Sequence, residues 1–468
     1  MTASVGSTAD LSATDLMAAY RSGDLSPVRA TEDALERIEK FDGQVNAFCL
    51  VDRESALASA RESEERWQNG TATGLLDGVP MSIKDVLLTE GWPTLRGSYT
   101  IDEAGPWTMD SPAVSRVREQ GAVLLGKTTT PEYAWKGVTD SARYGATGNP
   151  WNPAMTSGGS SGGSATAVGL GMGAVSLGTD GGGSVRIPAA FTGTTTIKPT
   201  YGRVPHSPAS PFGTLAHVGP MTRTATDAAL LLDVVAGFDA RDPWALAASE
   251  HSSMSMLGLG VAGLRIAASP TLGYATLHPE VAAAFEVAVR VFSELGARVE
   301  HADPGFADPV EDFQVLWFSG AAKVVENLDK SRIDPGLAEV AEAGARYSAL
   351  EYLGAMSARN DLGALMGAFH TQYDLLLTPC LPIPAFEVGH EVPPGWHDPR
   401  WTSWTPFTYP FNMTQQPAAS VPCGFTQDGL PIGLQIIGAR HDDGRVLAAA
   451  HAFQQITDWH LRRPPLLG

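Results

Sequence analysis

The stretch Thr156 to Arg186, TSGGSSGGSATAVGLGMGAVSLGTDGGGSVR, limits the fold more than any other part of this chain. Two glycine–serine turns, Gly158 to Ser164 and Gly181 to Ser184, bracket an apolar run of small residues. A flexible linker would not enclose AVGLGMGAVSLG, which suits a packed core. The run predicts a buried helix over Ala165 to Met172 and a short strand over Ala174 to Leu177. Glycine turns beside buried elements let backbone N–H groups approach a ligand, because no Cβ stands in the way. Both turns carry serines, so one compact unit offers hydroxyl nucleophiles beside an anion-binding backbone.

The surrounding pattern predicts alternating helices and strands. Ser12 to Asp15 reads as a capping box opening a helix that stops near Gly23, and Ser26-Pro27 opens a second. A charged surface helix is expected over Arg53 to Gln68, and strands over Val45 to Val51 and Val79 to Val86. Leu264 to Ala268, Pro279 to Leu295 and Ala297 to His301 read as strand, helix, strand. Phe313 to Met366 reads as mostly helical. Strands at Asp374 to Pro379, Ala418 to Val421 and Ile432 to Ile437, then a helix from Asp443 to Ile456, complete the pattern. With 43 % hydrophobic residues, the 468-residue chain can bury a large core.

Charge excludes some functions. With 32 basic and 51 acidic residues the net charge is −19, which opposes general nucleic-acid binding and attachment to anionic membranes. MTASVGSTADLS lacks the basic and apolar regions of a signal peptide, and no apolar run reaches about 18 residues, so a cytoplasmic location is expected. Cys49, Cys380 and Cys423 sit in apolar surroundings and read as small buried hydrophobes. The 11 histidines are scattered, each reading as a surface or capping residue. No metal site or cofactor is expected.

Four local motifs bear on chemistry. Lys84 interrupts an apolar strand, where a lysine is costly unless it is paired, neutral or able to reach solvent at the strand end. GAVLLGKT, Gly121 to Thr128, fits the phosphate-loop spacing, but its variable residues look like a strand rather than a cradle. Gly159 to Gly163 fits a nucleophile elbow, but TGNPWNPAMTSG cannot supply the strand that an elbow needs before it. Pro382 to Pro410 is a loop rich in Trp, Phe and Tyr, which either lines an apolar pocket or packs down as a lid. Lys84, Ser160 and Ser184 together suggest a hydrolase that needs no histidine. A desolvated lysine serves as base, one serine relays a proton and the other attacks an acyl carbon. The N–H groups of Gly181, Gly182, Gly183 and Ser184 would face the developing oxyanion.

GGSSGGSA…GTDGGGSVRIPAAFTGTTTIKPTYGRV resembles the signature of the amidase signature family. LDGVPMSIKD is similar to that family's lysine motif, and GAVLLGKTTTPEYAWKGVTD…YGATGNPWNP to its connecting segment. DLLLTP and PAASVPCGF…GLPIGLQIIG are similar to its C-terminal motifs, so the match runs from about Leu11 to the last helix. The resemblance implies a single α/β/α domain over residues 1–468, with a central mixed β-sheet covered by helices. Within it, residues 76–200 would carry the catalytic core, and the helical and aromatic region 305–410 would line the pocket. A Ser-cisSer-Lys triad is implied, with Ser184 as nucleophile, Ser160 as the cis-serine and Lys84 as base. The 24-residue separation of the two serines fits the family pattern. Ser161 would support the cis-serine, while Asp180 and Arg186 would hold the turn in shape. Tyr133, Trp135, Gly158, Gly159, Trp404 and Phe407 are the expected pocket residues. The expected reaction is hydrolysis of a small-molecule amide with a hydrophobic or aryl group, with carbamates, hydrazides and esters as further candidates. No nucleic-acid or membrane partner is expected, and the chain would act as a monomer or homodimer. The alternatives are the glutamine amidotransferase subunit of a tRNA-dependent transamidase and a phosphate-loop nucleotide-binding protein.

Overall fold

The structure, a computed structural model, describes residues 7–468, so the first six residues of the N-terminal stretch read above lie outside it. Eleven strands build one mixed sheet: β1 Phe48–Val51, β2 Pro80–Lys84, β3 Val123–Thr128, β4 Val175–Asp180, β5 Thr195–Lys198, β6 His217–Thr222, β7 Arg265–Ala268, β8 Arg298–His301, β9 Leu375–Pro379, β10 Ala418–Phe425 and β11 Pro431–Gly438. Their order across the sheet is β1-β3-β2-β4-β6-β5-β10-β11-β9-β7-β8. β3, β2 and β4 run parallel, as do β9, β7 and β8. The strands between these two sets pair antiparallel, and β1 adds antiparallel to β3.

Side chains alternate across the pleat. Leu375 and Leu377 join Ile266, Leu434 and Ile436 on one face, whereas Leu376 joins Ala267 and Ile437 on the other. Two apolar faces need two covering layers. Helices Ala13–Ser22, Pro112–Glu119, Ala225–Val235, Pro279–Glu294 and Asp443–Gln455 cover the first. Helices Pro27–Val45, Gly162–Gly169, Arg186–Thr192 and Ala349–Phe369 pack on the second. The expected caps are in place: Ser12 and Asp15 form a capping box, Gly23 ends that helix at φ 77°, and Pro27 opens the next. No helix among the described residues is long and apolar enough to cross a membrane.

The phosphate-loop spacing is a strand. Gly126, Lys127 and Thr128 are the last residues of β3, and the Lys127 ammonium lies 3.0 Å from Asp85 Oδ1 with both side chains buried. A backbone hydrogen-bonded into a ladder cannot also cradle phosphate. The elbow spacing likewise fails, since Ser161 sits at the start of helix Gly162–Gly169 with no strand leading into it.

The aromatic loop packs inward. Trp401–Trp404 is a single turn of 3-10 helix, and Trp401, Trp404 and Tyr409 share a buried cluster with Trp135, Phe313 and Trp317. Phe407 is buried against Leu376 and Ile437.

Candidate active site

Lys84 ends β2, and its amine-bearing chain is fully buried. Nζ lies 2.7 Å from Ser160 Oγ, 3.0 Å from Ser161 Oγ and 2.9 Å from Thr179 Oγ1. Burial drives its pKa well below the ordinary lysine value, against the pull of Asp180, which favours the neutral amine. A neutral amine has two N–H donors and one lone pair to distribute among three hydroxyls. The Ser161 hydroxyl donates to the Thr179 carbonyl at 3.1 Å, so toward Lys84 it accepts. The second N–H and the lone pair therefore serve Ser160 and Thr179. In the neutral form, one of those two hydroxyls would aim its proton at a free base.

Ser160 follows a cis Gly159–Ser160 peptide bond. The next amide, Ser161 N–H, donates to the Ser184 carbonyl at 3.0 Å, tying the two serine turns together. Ser160 and Ser184 line one cavity of 320 Å³, with Thr179, Asp180 and Gly181 beside them. Among the described residues, the Ser184 hydroxyl has no hydrogen-bond partner, leaving it free for a ligand. Val86, Leu87, Leu88, Phe212, Trp317 and Val324 give the rest of this cavity a mainly apolar wall.

The turn after β4 is held by a buried ion pair. Arg186 closes on both oxygens of Asp180, at 2.9 Å and 3.0 Å, and neither side chain is exposed. Its remaining donors go to the Thr408 carbonyl, Gln435 Oε1 and Asn412 Oδ1, while Asn412 Nδ2 donates back to Asp180 Oδ1 at 2.8 Å. Burial alone would raise the Asp180 carboxyl, but the Arg186 guanidinium outweighs it and holds the pKa below the usual carboxylate range. The same carboxylate accepts the Gly183 N–H at 2.8 Å. That amide is therefore unavailable to an oxyanion, which corrects the four-donor expectation. Among the described residues, the N–H groups of Gly181, Gly182 and Ser184 have no backbone or side-chain acceptor.

The glycines are required by what lies behind them. A Cβ on Gly181 would stand 2.7 Å from Trp317 Cζ3, and one on Gly182 would stand 2.7 Å from Trp401 Cη2 and 2.8 Å from Phe313 Cζ. The aromatic cluster thus backs the turn.

Of the expected pocket residues, Tyr133 lines the cavity, and its hydroxyl lies 2.7 Å from Thr100 Oγ1. Trp135, Trp404 and Phe407 do not, because each is fully enclosed by other core side chains. Gly158 and Gly159 sit behind Ser160 against Ile187 and Val138 rather than on the cavity wall. Trp317 lies on that wall, within the region 305–410 expected to line the pocket, whereas Ser111, Thr179, His206 and Phe212, also on it, are not among the expected pocket residues. Sequence reasoning misread His217, which is neither a surface nor a capping residue. Its ring is buried, with Nδ1 2.8 Å from the Leu215 carbonyl and Nε2 3.4 Å from the buried Lys198 amine. Burial and the neighbouring Lys198 keep His217 well below the ordinary imidazole range.

The family model described as Amidase matches residues 29–447. An acylamidase of Rhodococcus erythropolis is 37 % identical over 465 residues, covering 97 % of each chain. A glutamyl-tRNA(Gln) amidotransferase subunit of Chloroflexus aurantiacus is 35 % identical over 486 residues, covering 98 % of this chain and 99 % of that one. The crystal structure of a bacterial aryl acylamidase of the amidase signature family superposes with a TM-score of 0.90 at 32 % identity, covering 96 % of this chain and 97 % of the other. A single α/β domain, an 11-stranded mixed sheet and a match along nearly the whole chain lead to one conclusion: this protein belongs to the amidase signature family and is a hydrolase acting on amide C–N bonds.

Proposed function

We propose that the protein is a stand-alone serine amidase for small amides carrying a hydrophobic or aryl group, acting through an acyl-enzyme on Ser184. The observation that carries this reading is the buried, neutral Lys84 at 2.7 Å from Ser160, in the cavity that Ser184 also lines. Lys84 takes a proton from Ser160, and Ser160 takes one from Ser184 as its oxygen attacks the substrate carbonyl. The N–H groups of Gly181, Gly182 and Ser184 are the donors free to hold the resulting oxyanion. Ser160 then passes its proton to the departing nitrogen, and water releases the acyl group by the reverse relay.

The apolar side chains of Val86, Leu87, Leu88, Phe212, Trp317 and Val324 on the wall support an aryl or hydrophobic group, for which glutamine has no counterpart. The second reading, the glutamine-hydrolysing part of an amidotransferase, is favoured by the 35 % identity to such a protein. A panel of aryl amides, anilides, carbamates, esters, glutamine and asparagine, assayed with wild type and Ser184→Ala, tests the proposal. Hydrolysis of aryl amides, abolished in Ser184→Ala without a change in melting temperature, is expected. Glutamine or asparagine as the best substrate by kcat/KM would favour the amidotransferase reading. Full activity in Ser184→Ala would remove Ser184 as nucleophile.

A further inference from the structure

The cavity wall carries one guanidinium that the relay does not use. Arg96 lines the cavity, yet among the described residues no carboxylate lies within ion-pair distance of it and no side-chain hydrogen bond engages it. Its backbone is fixed: φ is 53°, and its carbonyl accepts the Tyr133 N–H at 2.7 Å. Tyr133 and Ala134, also on the wall, have φ of 50° and 59°. Left-handed backbone at three non-glycine residues around one cavity places ordinarily avoided conformations where a ligand would sit.

A second group on the wall is also unsatisfied. Ser111 lines the same cavity, and its hydroxyl is buried with no hydrogen-bond partner among the described residues. It stands at the N-cap of helix Pro112–Glu119 but makes no capping bond. Buried polar atoms without partners are uncommon in native proteins and ask for an explanation. The wall's one carboxylate, Asp180, is engaged by Arg186, and His206 is pushed down to about 4, mainly by burial, so it carries no charge at neutral pH. Arg96 is thus the uncompensated charge of the cavity, in a protein whose overall charge is −19.

We propose that Arg96, aided by the Ser111 hydroxyl, receives a carboxylate on the part of the substrate remote from the scissile carbonyl. The preferred substrates are then acidic aryl or hydrophobic amides. This rests on reading the cavity as the amidase site. A guanidinium binds a carboxylate through charge-assisted, often bidentate hydrogen bonds, and an isosteric carboxamide does so far less well.

The test compares kcat/KM within two matched pairs, using wild type and Arg96→Gln. In the first pair, 4-acetamidobenzoate against 4-acetamidobenzamide, the charge is on the amine side. In the second, N-phenylsuccinamic acid against N-phenylsuccinamide, it is on the acyl side. Wild type is expected to favour the carboxylate member of at least one pair by ~10–100-fold, and Arg96→Gln to reduce that ratio to about 1. Discrimination absent from both pairs, or unchanged in Arg96→Gln, overturns the proposal while leaving the amidase reading intact. Calorimetric binding of benzoate and benzamide to Ser184→Ala, with and without Arg96→Gln, reads the subsite without turnover. If no amide is hydrolysed, an Arg96-dependent preference for benzoate sustains the carboxylate site, and equal binding ends it.

Discussion

Asp180 Oδ1 accepts the Gly183 N–H at 2.8 Å while Arg186 grips the same carboxylate from the other side. One carboxylate therefore ties down the Gly183 and Val185 amides, while among the described residues those of Gly181, Gly182 and Ser184 have no protein acceptor. Asp180→Asn should leave the Arg186 charge buried without a counter-ion. Removing one partner of a buried pair costs ~3–5 kcal/mol, so both the melting temperature and kcat should fall. Because the folded Asp180 carboxyl titrates below its ordinary value of 3.8, its contribution to stability is complete above that pH and fades as pH drops below it. Acid denaturation curves of wild type and Asp180→Asn should converge in that range.

With Lys84 as the neutral base proposed above, kcat/KM should rise with pH through its depressed pKa and then level off. Lys84→Arg keeps a donor but cannot deprotonate, and should lose ~10²–10⁴ of activity at every pH. Stability should climb with pH as well. Folding forces Lys84 to give up a proton that the unfolded chain holds up to about 10.5, so stability gains with rising pH between the depressed folded value and 10.5. Melting temperatures of Lys84→Met across that window should lack this slope.

Gly182→Ala should lower kcat by ~10²–10³ with little change in KM, since the added methyl collides with Trp401 and Phe313 and shifts a free N–H donor. Trp401→Leu in the same chain should restore part of the rate. A Gly182→Ala enzyme with unaltered kcat would exclude this amide from oxyanion binding.

Lys127→Met should destabilise the fold by ~3–5 kcal/mol, because Asp85 would keep only the Tyr144 hydroxyl at 2.7 Å and the Leu95 N–H at 3.2 Å as partners. ATP with Mg²⁺ should leave the melting temperature of wild type unchanged, as befits a strand lysine.

What could be read from the chain was local. Ser12 and Asp15 announce a cap because the two partners are three residues apart, and Pro279–Glu294 shows its apolar stripe within its own length. Lys84 stands out because a lysine in an apolar strand is anomalous wherever it occurs. The supports of the turn give no such signal. Asn412 lies 232 residues from Asp180 and Gln435 lies 249 from Arg186, and each resembles any polar residue of a loop or strand until the sheet brings it in. Trp404 and Phe407 mislead for the opposite reason, since an aromatic residue that walls a ligand and one that fills a core share the same letters. Arg96 sits in a loop without a motif, and only the assembled cavity wall shows that its charge has no partner among the described residues.

The reach of Arg186 to Gln435 also orders events during synthesis. A ribosome has made Lys84, Ser160 and Ser184 long before it makes the carbonyl of Thr408, the amide of Asn412 or the side chain of Gln435, on which Arg186 depends. The nascent chain thus holds all three residues of the proposed triad while lacking the scaffold that shapes the glycine turn. Hydrolytic power arrives late in translation, as a property of the finished molecule.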